Sequence, residues 1–242
     1  MSREKYLKAT RHPWPCLLFL LPLLAAYEGG IIWLGGTHPE AFRSGADTWL
    51  RWGLQAFGLS QLYWTPLLVA LVFLVWSWLR WHDRPGDLLG VCTAMAIESM
   101  LFAAGLLGLS RVLNPVLDSL GIVLASQGPT ERVLGQVITF VGAGIYEEVF
   151  FRLFLYAGMV RLFRQIELPS WIAYGVAAAT SALLFSAAHH AGPFGEAFDA
   201  YVFLFRSLAG LYFTFLFQVR GFGVVVGAHT CYDVLAGILI NG

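Results

Sequence analysis

Three short patterns of charged and imidazole side chains interrupt an otherwise apolar sequence. Each has two functional residues four positions apart, a spacing that places both side chains on one face of a helix. The patterns are Glu147-Glu148-x-x-x-Arg152, Phe185-x-x-x-His189 and His229-x-x-x-Asp233. Carboxylates and imidazoles are the groups that most often move protons in catalysis. The patterns therefore predict a site that activates water for hydrolysis, or alternatively a path for protons or ions.

The first pattern contains one carboxylate more than a simple ion pair needs. Glu148 and Arg152 can pair along one helix face, which leaves Glu147 on another face without a local partner. A carboxylate without a partner is a candidate general base. An ion pair that only braces a helix bundle would explain Glu148 but not Glu147. Gly142 and Gly144, just before the pair, would let another helix backbone approach closely.

The other two patterns place one imidazole each at a defined position. The ring of Phe185 can pack beside His189, and Asp233 could orient His229 or share a ligand with it. Taken alone, each histidine is equally explained by a hydrogen bond between helices or by a helix end. Together with the first pattern, they lie on three separate apolar segments, which favours one shared site. His190 points to another helix face, so we assign it no catalytic role.

The composition limits the classes of protein that fit. The chain has 242 residues, of which 58% are hydrophobic and 12% are charged, whereas soluble domains carry about 25% charged residues. A soluble enzyme, a disordered protein and a nucleic-acid binder all fit poorly with so few charged residues. The cations and anions number 15 each, so no net charge attracts an anionic partner. The mean hydropathy of +0.68 indicates a polytopic membrane protein. Ionisable groups at bilayer depth are then candidates for a functional site.

Seven apolar windows predict an all-α, polytopic transmembrane helical bundle of seven or eight spans around a hydrated cavity. Residues 1–242 form a single integral-membrane domain in this interpretation. Residues 37–60 are predicted to be an amphipathic helix lying on the membrane. Residues 111–131 could be an interfacial helix, a re-entrant segment or an eighth span. The windows are 16–36, 61–79, 88–109, 133–160, 170–190, 201–219 and 221–240.

The distribution of lysine and arginine predicts the orientation. With seven spans, most of these cations fall on the side that holds the N-terminus, so the N-terminus is expected in the cytoplasm. We expect an integral protein of a bacterial-type plasma (inner) membrane. Three intramembrane carboxylates and arginines remain outside the three patterns: Glu28, Glu98 and Arg206. The spacing leaves open whether Glu98 and Arg206 pair with each other.

The three patterns, in this order, resemble those of the CAAX protease and bacteriocin-processing family of intramembrane endopeptidases, often called CPBP or Abi. Here the resemblance covers about residues 133–240. It implies a bundle of about eight helices around a conical, water-accessible cavity. It also implies an endopeptidase that cleaves membrane-associated protein or peptide substrates, by CAAX-type or C-terminal processing. The resemblance gives roles to six residues: Glu147 and His189 polarise water, His229 and Asp233 stabilise the oxyanion, and Glu148 and Arg152 support the site.

Asp233 departs from the form of the third pattern that has Asn. An amide can donate a hydrogen bond to an oxyanion, whereas an ionised carboxylate can only accept one. Asp233 would therefore be protonated, orient His229 or help to bind a metal.

The resemblance leaves two mechanisms, because the family is described both as glutamate-based and as metal-dependent. We favour the glutamate type, with no cofactor. In the metal-dependent alternative, zinc with an open water position would be held by Glu147, His189, His229 and Asp233. The His-Glu-x-x-His helix of many zinc proteases is absent. Two other classes stay open, a non-catalytic immunity or scaffold protein and an ion-coupled transporter, although no internal repeat supports a transporter.

Overall fold

The computed structural model describes residues 3–36, 38–59, 64–119, 133–192 and 195–239. These ranges contain helices and connections and no strand, which confirms the predicted all-α bundle. A π-helix, Glu148–Tyr156, joins α6 to α7 without a break. The α-helices are α1 Arg3–Ala9, α2 Pro13–Gly35, α3 Gly45–Ala56, α4 Trp64–Leu79, α5 Leu88–Ser119, α6 Val133–Glu147, α7 Ala157–Gln165, α8 Ser170–Ala188, α9 Ala200–Arg220 and α10 Phe222–Leu239.

The seven apolar windows all coincide with helical segments. Within the described ranges, four helices are long and apolar enough to cross a membrane: α2, residues 88–113 of α5, α8 and α9. Two apolar helices are shorter, α4 and residues 222–237 of α10. The predicted segment 111–131 begins as the end of α5, which continues to Ser119. The rest of that segment, 120–131, lies outside the described ranges.

Helix α10 lies at the centre of the bundle. It packs against α5, α6, α9 and α2. Residues 222–230 are all buried, so the helix has no exposed face over its first half. A helix that is apolar on every side is typical of a position inside a bundle. Gly221 starts it with a φ of 93° and separates α9 from α10 by a single residue. His229 therefore reaches the middle of the protein on a fully enclosed helix.

Helix α3 differs from the predicted membrane-surface helix. It is shorter than residues 37–60 and packs against α4 and α6. Ser44 caps its N-terminus by accepting a hydrogen bond from the backbone N–H of Asp47, at 3.4 Å. Asp47 and Arg51 are buried rather than turned to a solvated surface. Their opposite charges explain this, because the two side chains pair at 2.8 Å.

Two glycines on α6 allow the close packing that the sequence predicts. A Cβ atom at Gly144 would lie 2.9 Å from the backbone nitrogen of Thr230 and 3.1 Å from its Cα. The backbones of α6 and α10 therefore touch one residue after His229 and three residues before Glu147. At Gly142 the neighbour is the aromatic ring of Tyr27, not a backbone. These contacts bring α2, α6 and α10 together close to Glu147 and His229.

We predict that Gly144→Ala lowers the thermal unfolding temperature of the detergent-solubilised protein. The added methyl group must displace the backbone of α10, and overpacking of this kind costs about 1–3 kcal/mol. Gly158→Ala is the matched control, because it lies further along the same continuous helix and a Cβ there meets open space. Equal unfolding temperatures for the two variants would contradict the close approach of α6 and α10.

Candidate active site

The two adjacent glutamates lie where the helix changes its hydrogen bonding. Glu147 is the last residue of α6, and Glu148 is the first residue of the π-helix. Wider turns of this kind occur mostly at functional sites. Local spacing gave no signal for the π-helix, since its residues are ordinary helix formers with the apolar pattern of a membrane span. The change in winding nevertheless keeps Glu148 and Arg152 in contact.

Glu148 forms the most enclosed ion pair of the site. Its Oε2 lies 3.1 Å from Nε of Arg152, and both side chains are fully buried. This confirms the pairing predicted from their spacing. Its Oε1 lies 2.7 Å from Nδ1 of His229. Arg152 also donates to the carbonyl oxygen of Gly210 at 3.3 Å. The carboxylate of Glu148 is thus held from two sides.

Arg152 is further enclosed by aromatic rings. Its guanidinium lies 4.5 Å from the ring centroid of Phe185 and 5.5 Å from that of Phe213. A cation over a ring face is stabilised by the ring quadrupole, and more so where water is excluded. Phe185 also packs edge-on against His189, with the ring centroids 5.1 Å apart. The predicted contact between Phe185 and His189 is therefore confirmed, and the same ring covers the arginine.

Glu147 has a different environment from its neighbour. Its Oε1 lies 3.7 Å from Nε2 of His189, and its Oε2 lies 3.7 Å from Nε2 of His229. Both distances exceed a hydrogen bond. Oε2 is buried and has no hydrogen-bond partner among the described residues. The absence of a sequence-local partner is thus matched by the structure, and two imidazoles face the carboxylate instead.

The tautomer of His189 follows from its backbone contact. Its Nδ1 lies 2.8 Å from the carbonyl oxygen of Phe185. A carbonyl oxygen can only accept, so Nδ1 carries the hydrogen and the neutral ring has its lone pair on Nε2. That lone pair points towards Glu147. Helix α8 ends at Ala188, and this early end places His189 level with a glutamate in the middle of a long helix.

His229 is the residue that connects the three patterns. Its ring stacks on Phe213 with the centroids 4.5 Å apart. Nδ1 faces Glu148, while Nε2 faces Asp233 Oδ2 at 3.4 Å. The predicted proximity of His229 and Asp233 is confirmed. The six residues assigned from the sequence therefore lie in one cluster: Glu147, Glu148, Arg152, His189, His229 and Asp233.

His190, Glu98 and Arg206 lie outside this cluster. His190 directs Nδ1 to the carbonyl oxygen of Glu196 at 3.2 Å. Glu98 and Arg206 do not pair with each other. Glu98 instead binds Arg220 on α9 through two short contacts, at 2.6 and 2.5 Å. The pairing left open by the sequence is thus replaced by two other ion pairs.

A cavity of about 150 Å³ reaches the cluster from one end of the bundle. Glu147 and His189 line it, and Glu148, Arg152 and His229 do not. The opposite wall comes from α3. Its polar and aromatic lining includes Thr48, Trp49, Trp52, Glu147, His189 and Glu196. Glu147 is therefore the carboxylate of the pair that a substrate or water in the cavity can contact.

Metal ligation has less geometric support than proton transfer. In the described part of the chain, no group of three or more His, Cys, Asp or Glu side chains is arranged to hold a metal ion. Structural and catalytic zinc sites need at least three such ligands at about 2.0–2.3 Å. Nδ1 of His229 is engaged by Glu148. The two Nε2 atoms that face Glu147 are the donors that a metal would use.

A second buried charge cluster, missed by the sequence analysis, fixes the wall of the cavity. Arg43 and Arg51 both contact Asp47 and Glu28, with the Arg43–Asp47 distance 2.7 Å. Tyr146 donates to Glu28 at 3.1 Å. Tyr146 directly precedes Glu147, so this cluster connects α2 and α3 to the helix that carries the two adjacent glutamates. In the sequence, Glu28 was the only signal of this cluster, because it is a charge within an apolar window. Its partners lie in the polar segment between two apolar windows and did not stand out there.

Glu196 is a further site residue that the sequence did not indicate. It lines the cavity and forms a two-point ion pair with Arg206 of α9, at 2.7 and 2.9 Å. Its backbone N–H donates to the carbonyl oxygen of His189 at 2.9 Å. The hydrogen bond from Arg206 lowers the pKa of Glu196 below its usual 4.5. The pair thereby ties the segment after α8 to α9 and helps to place His189.

The lowered pKa of Glu196 gives a pH test of this tether. A carboxylate with a depressed pKa in the folded state adds stability above its unfolded pKa and loses it as pH falls through the folded value. We expect Arg206→Gln to lower the unfolding temperature at neutral pH, and the gap to wild type to narrow below about pH 4.5. Arg111→Gln, at an exposed arginine on α5, is the control. A gap that is independent of pH would contradict the tether.

The comparisons with known proteins agree with this geometry. A family model described as Type II CAAX prenyl endopeptidase Rce1-like matches residues 129–235. The matched range contains all six residues of the cluster. No curated protein and no solved structure matches the chain. The match supports a peptidase that works in a membrane on membrane-associated protein or peptide substrates. Residues 129–235 are therefore similar to the Rce1-like type II CAAX prenyl endopeptidases, in agreement with the family that the three motifs resemble.

Proposed function

We propose that the chain is an intramembrane endopeptidase of the glutamate type, with Glu147 as the general base. The observation that carries this proposal is the carboxylate of Glu147, which lines the cavity and has no hydrogen bond from the two imidazoles that face it at 3.7 Å. A buried acceptor without a donor is costly, so such an atom is suited to a water or a substrate group. The adjacent Glu148 is unsuited to this role because Arg152 and His229 already occupy it.

Water activation follows from the two acceptors that face each other. A single water can donate one of its hydrogens to Nε2 of His189 and its second hydrogen to Oε1 of Glu147, since these two acceptor atoms are 3.7 Å apart. The water oxygen then attacks the carbonyl carbon of the scissile peptide bond while its proton passes to Glu147. As the C–N bond breaks, Glu147 returns that proton to the leaving nitrogen. Positioned proton transfer of this kind contributes about 10²–10⁴-fold to the rate.

His229 is placed to stabilise the oxyanion that the attack creates. Carboxylates flank both of its nitrogens, with Glu148 at 2.7 Å from Nδ1 and Asp233 at 3.4 Å from Nε2. The protonated form of the ring, which two flanking carboxylates favour, donates from both nitrogens. The Nε2–H can then turn from Asp233 to the oxyanion. In this proposal Asp233 orients His229 and does not itself donate to the oxyanion.

The substrate class follows from the family and from the location of the cavity. We propose that the substrates are membrane-associated proteins or peptides processed near their C-terminus, as the description of the matching family suggests. A cavity of about 150 Å³ is far too small for a folded domain, so a substrate would enter it as extended chain. Whether a prenyl group is needed is tested below by including prenylated and unmodified peptides.

The orientation proposed from the sequence determines the side from which substrate enters. We propose a cytoplasmic N-terminus in a bacterial-type plasma membrane. Helix α3, which lines the cavity, follows the far end of α2. The cavity then opens towards the side opposite to the N-terminus. With seven spans, the sequence assigns only four cations to that side: Arg43, Arg51, Arg111 and Arg132. Arg43 and Arg51 are buried in ion pairs, which increases the excess of exposed cations at the N-terminal end.

We predict that Glu147→Gln reduces cleavage of single-span peptides in proteoliposomes by at least about 100-fold, because the amide cannot accept the proton of water. Glu167→Gln, at an exposed residue far from the cluster, should cleave at the wild-type rate. The peptide panel should contain prenylated and unmodified C-terminal cysteines. Full cleavage by Glu147→Gln would contradict the proposed base. A full biological effect of this variant without cleavage would favour a scaffold role.

Metal content separates the two protease mechanisms. For the glutamate type, we expect purified active protein to keep its activity after treatment with a chelator, and its cleavage rate to be independent of added zinc. Stoichiometric zinc that is lost together with activity in His229→Ala would overturn the proposal in favour of the metal-dependent alternative. The metal-dependent alternative rests on a specific observation, because the Nε2 atoms of His189 and His229 both face Glu147 and would be the ligands of a metal there.

A further inference from the structure

A second cavity lies far from the catalytic cluster, at the opposite end of the bundle. Its volume is about 480 Å³, which lies within the range of small-molecule sites. It is formed by the end of α7, the start of α8 and the end of α9. Three helix ends at one level are typical of the surface of a membrane. No residue of the catalytic cluster lines this cavity.

The charge of this cavity is positive and uncompensated. Arg161 and Arg164 line it, and its described lining contains no aspartate or glutamate. Arg164 donates to the hydroxyl of Ser170 at 2.7 Å, a contact that leaves its charge unbalanced. Among the described residues, neither arginine has a carboxylate within salt-bridge distance. Two guanidinium groups side by side suit a phosphate, because each presents a planar fork of donors.

The rest of the lining is amphipathic. Tyr156 and Gln218 contribute polar atoms and are hydrogen-bonded to each other, while Val160 and Phe217 form an apolar floor. Trp171, at the first turn of α8, is 79% exposed beside this end of the bundle. Exposed tryptophan at a helix end is typical of the interface between lipid headgroups and acyl chains. A ligand here would meet cations at the surface and apolar side chains below.

We propose that this cavity binds the headgroup of an anionic phospholipid, with the phosphate on Arg161 and Arg164 and an acyl chain along Val160 and Phe217. Basic pockets between membrane helices on the cytoplasmic side bind anionic headgroups in this way. The cytoplasmic orientation proposed above puts the cavity in the leaflet where such lipids are enriched. The site is separate from the peptidase site, so its test does not depend on cleavage.

The test measures lipid binding by the full chain in detergent micelles, with fluorescent phosphatidylglycerol and phosphatidylcholine as probes. Wild type should prefer phosphatidylglycerol. Each of Arg161→Gln and Arg164→Gln should weaken its binding about fivefold, and the double variant about 25-fold, as expected for about 1 kcal/mol per cation. Arg161→Lys should retain part of the binding, because it keeps the charge but loses the planar fork of donors. Arg84→Gln, at an exposed arginine outside the cavity, is the matched control.

Three outcomes would overturn the proposal. The first is equal affinity for the two lipids. The second is an unchanged preference in the double variant, or an equal loss in Arg84→Gln. The third is displacement of the lipid by inorganic phosphate at a similar concentration, which would identify a site for free phosphate. Unaltered unfolding temperatures show that the variants fold, and unaltered peptide cleavage in phosphatidylcholine vesicles shows that the catalytic cluster is intact.

Discussion

The burial of several charges inside one apolar bundle is the constraint on which the rest of the structure depends. A charge in hydrocarbon costs several kcal/mol unless a partner and hydrogen bonds compensate it. Glu148 meets this requirement with two partners from different helices, Arg152 at 3.1 Å and His229 at 2.7 Å. Removing either partner would leave a buried carboxylate uncompensated. The positions of the π-helix and of α10 are therefore fixed relative to each other by electrostatics as well as by packing.

The same constraint separates the roles of two neighbouring glutamates. Glu148 has no accessible surface and lies within ion-pair distance of Arg152 and His229, whereas the side chain of Glu147 is 11% exposed and faces only imidazoles at 3.7 Å. A closely paired carboxylate gives rigidity, and a loosely paired one at a cavity gives reactivity. The enclosed pair thus supplies the fixed framework against which the reactive carboxylate is positioned.

The sequence predicted contacts between side chains one helical turn apart and left open contacts between residues far apart in the chain. The pairs Glu148–Arg152, Phe185–His189 and His229–Asp233 each follow from four-residue spacing, because a helix fixes which side chains are neighbours. The contact between His229 and Glu148 joins residues 81 positions apart, and no local rule specifies it. The π-helix has no local signal either. Arg43 and Arg51 belong to the segment predicted to lie on the membrane, whereas one of the carboxylates that pair with them, Glu28, lies on another helix.

The buried cluster around Glu28 connects α3, whose packing the sequence did not predict, to the helix that carries Glu147, whose motif the sequence shows clearly. Tyr146 lies next to Glu147 and donates to Glu28, and Glu28 pairs with arginines that position α3. Helix α3 in turn forms a wall of the cavity that reaches Glu147. The N-terminal third of the chain lies outside the matched range, 129–235, yet it shapes access to the site. Since that wall comes from the part with no matching motif, the features that select a substrate can differ from those of the family while the catalytic cluster stays the same.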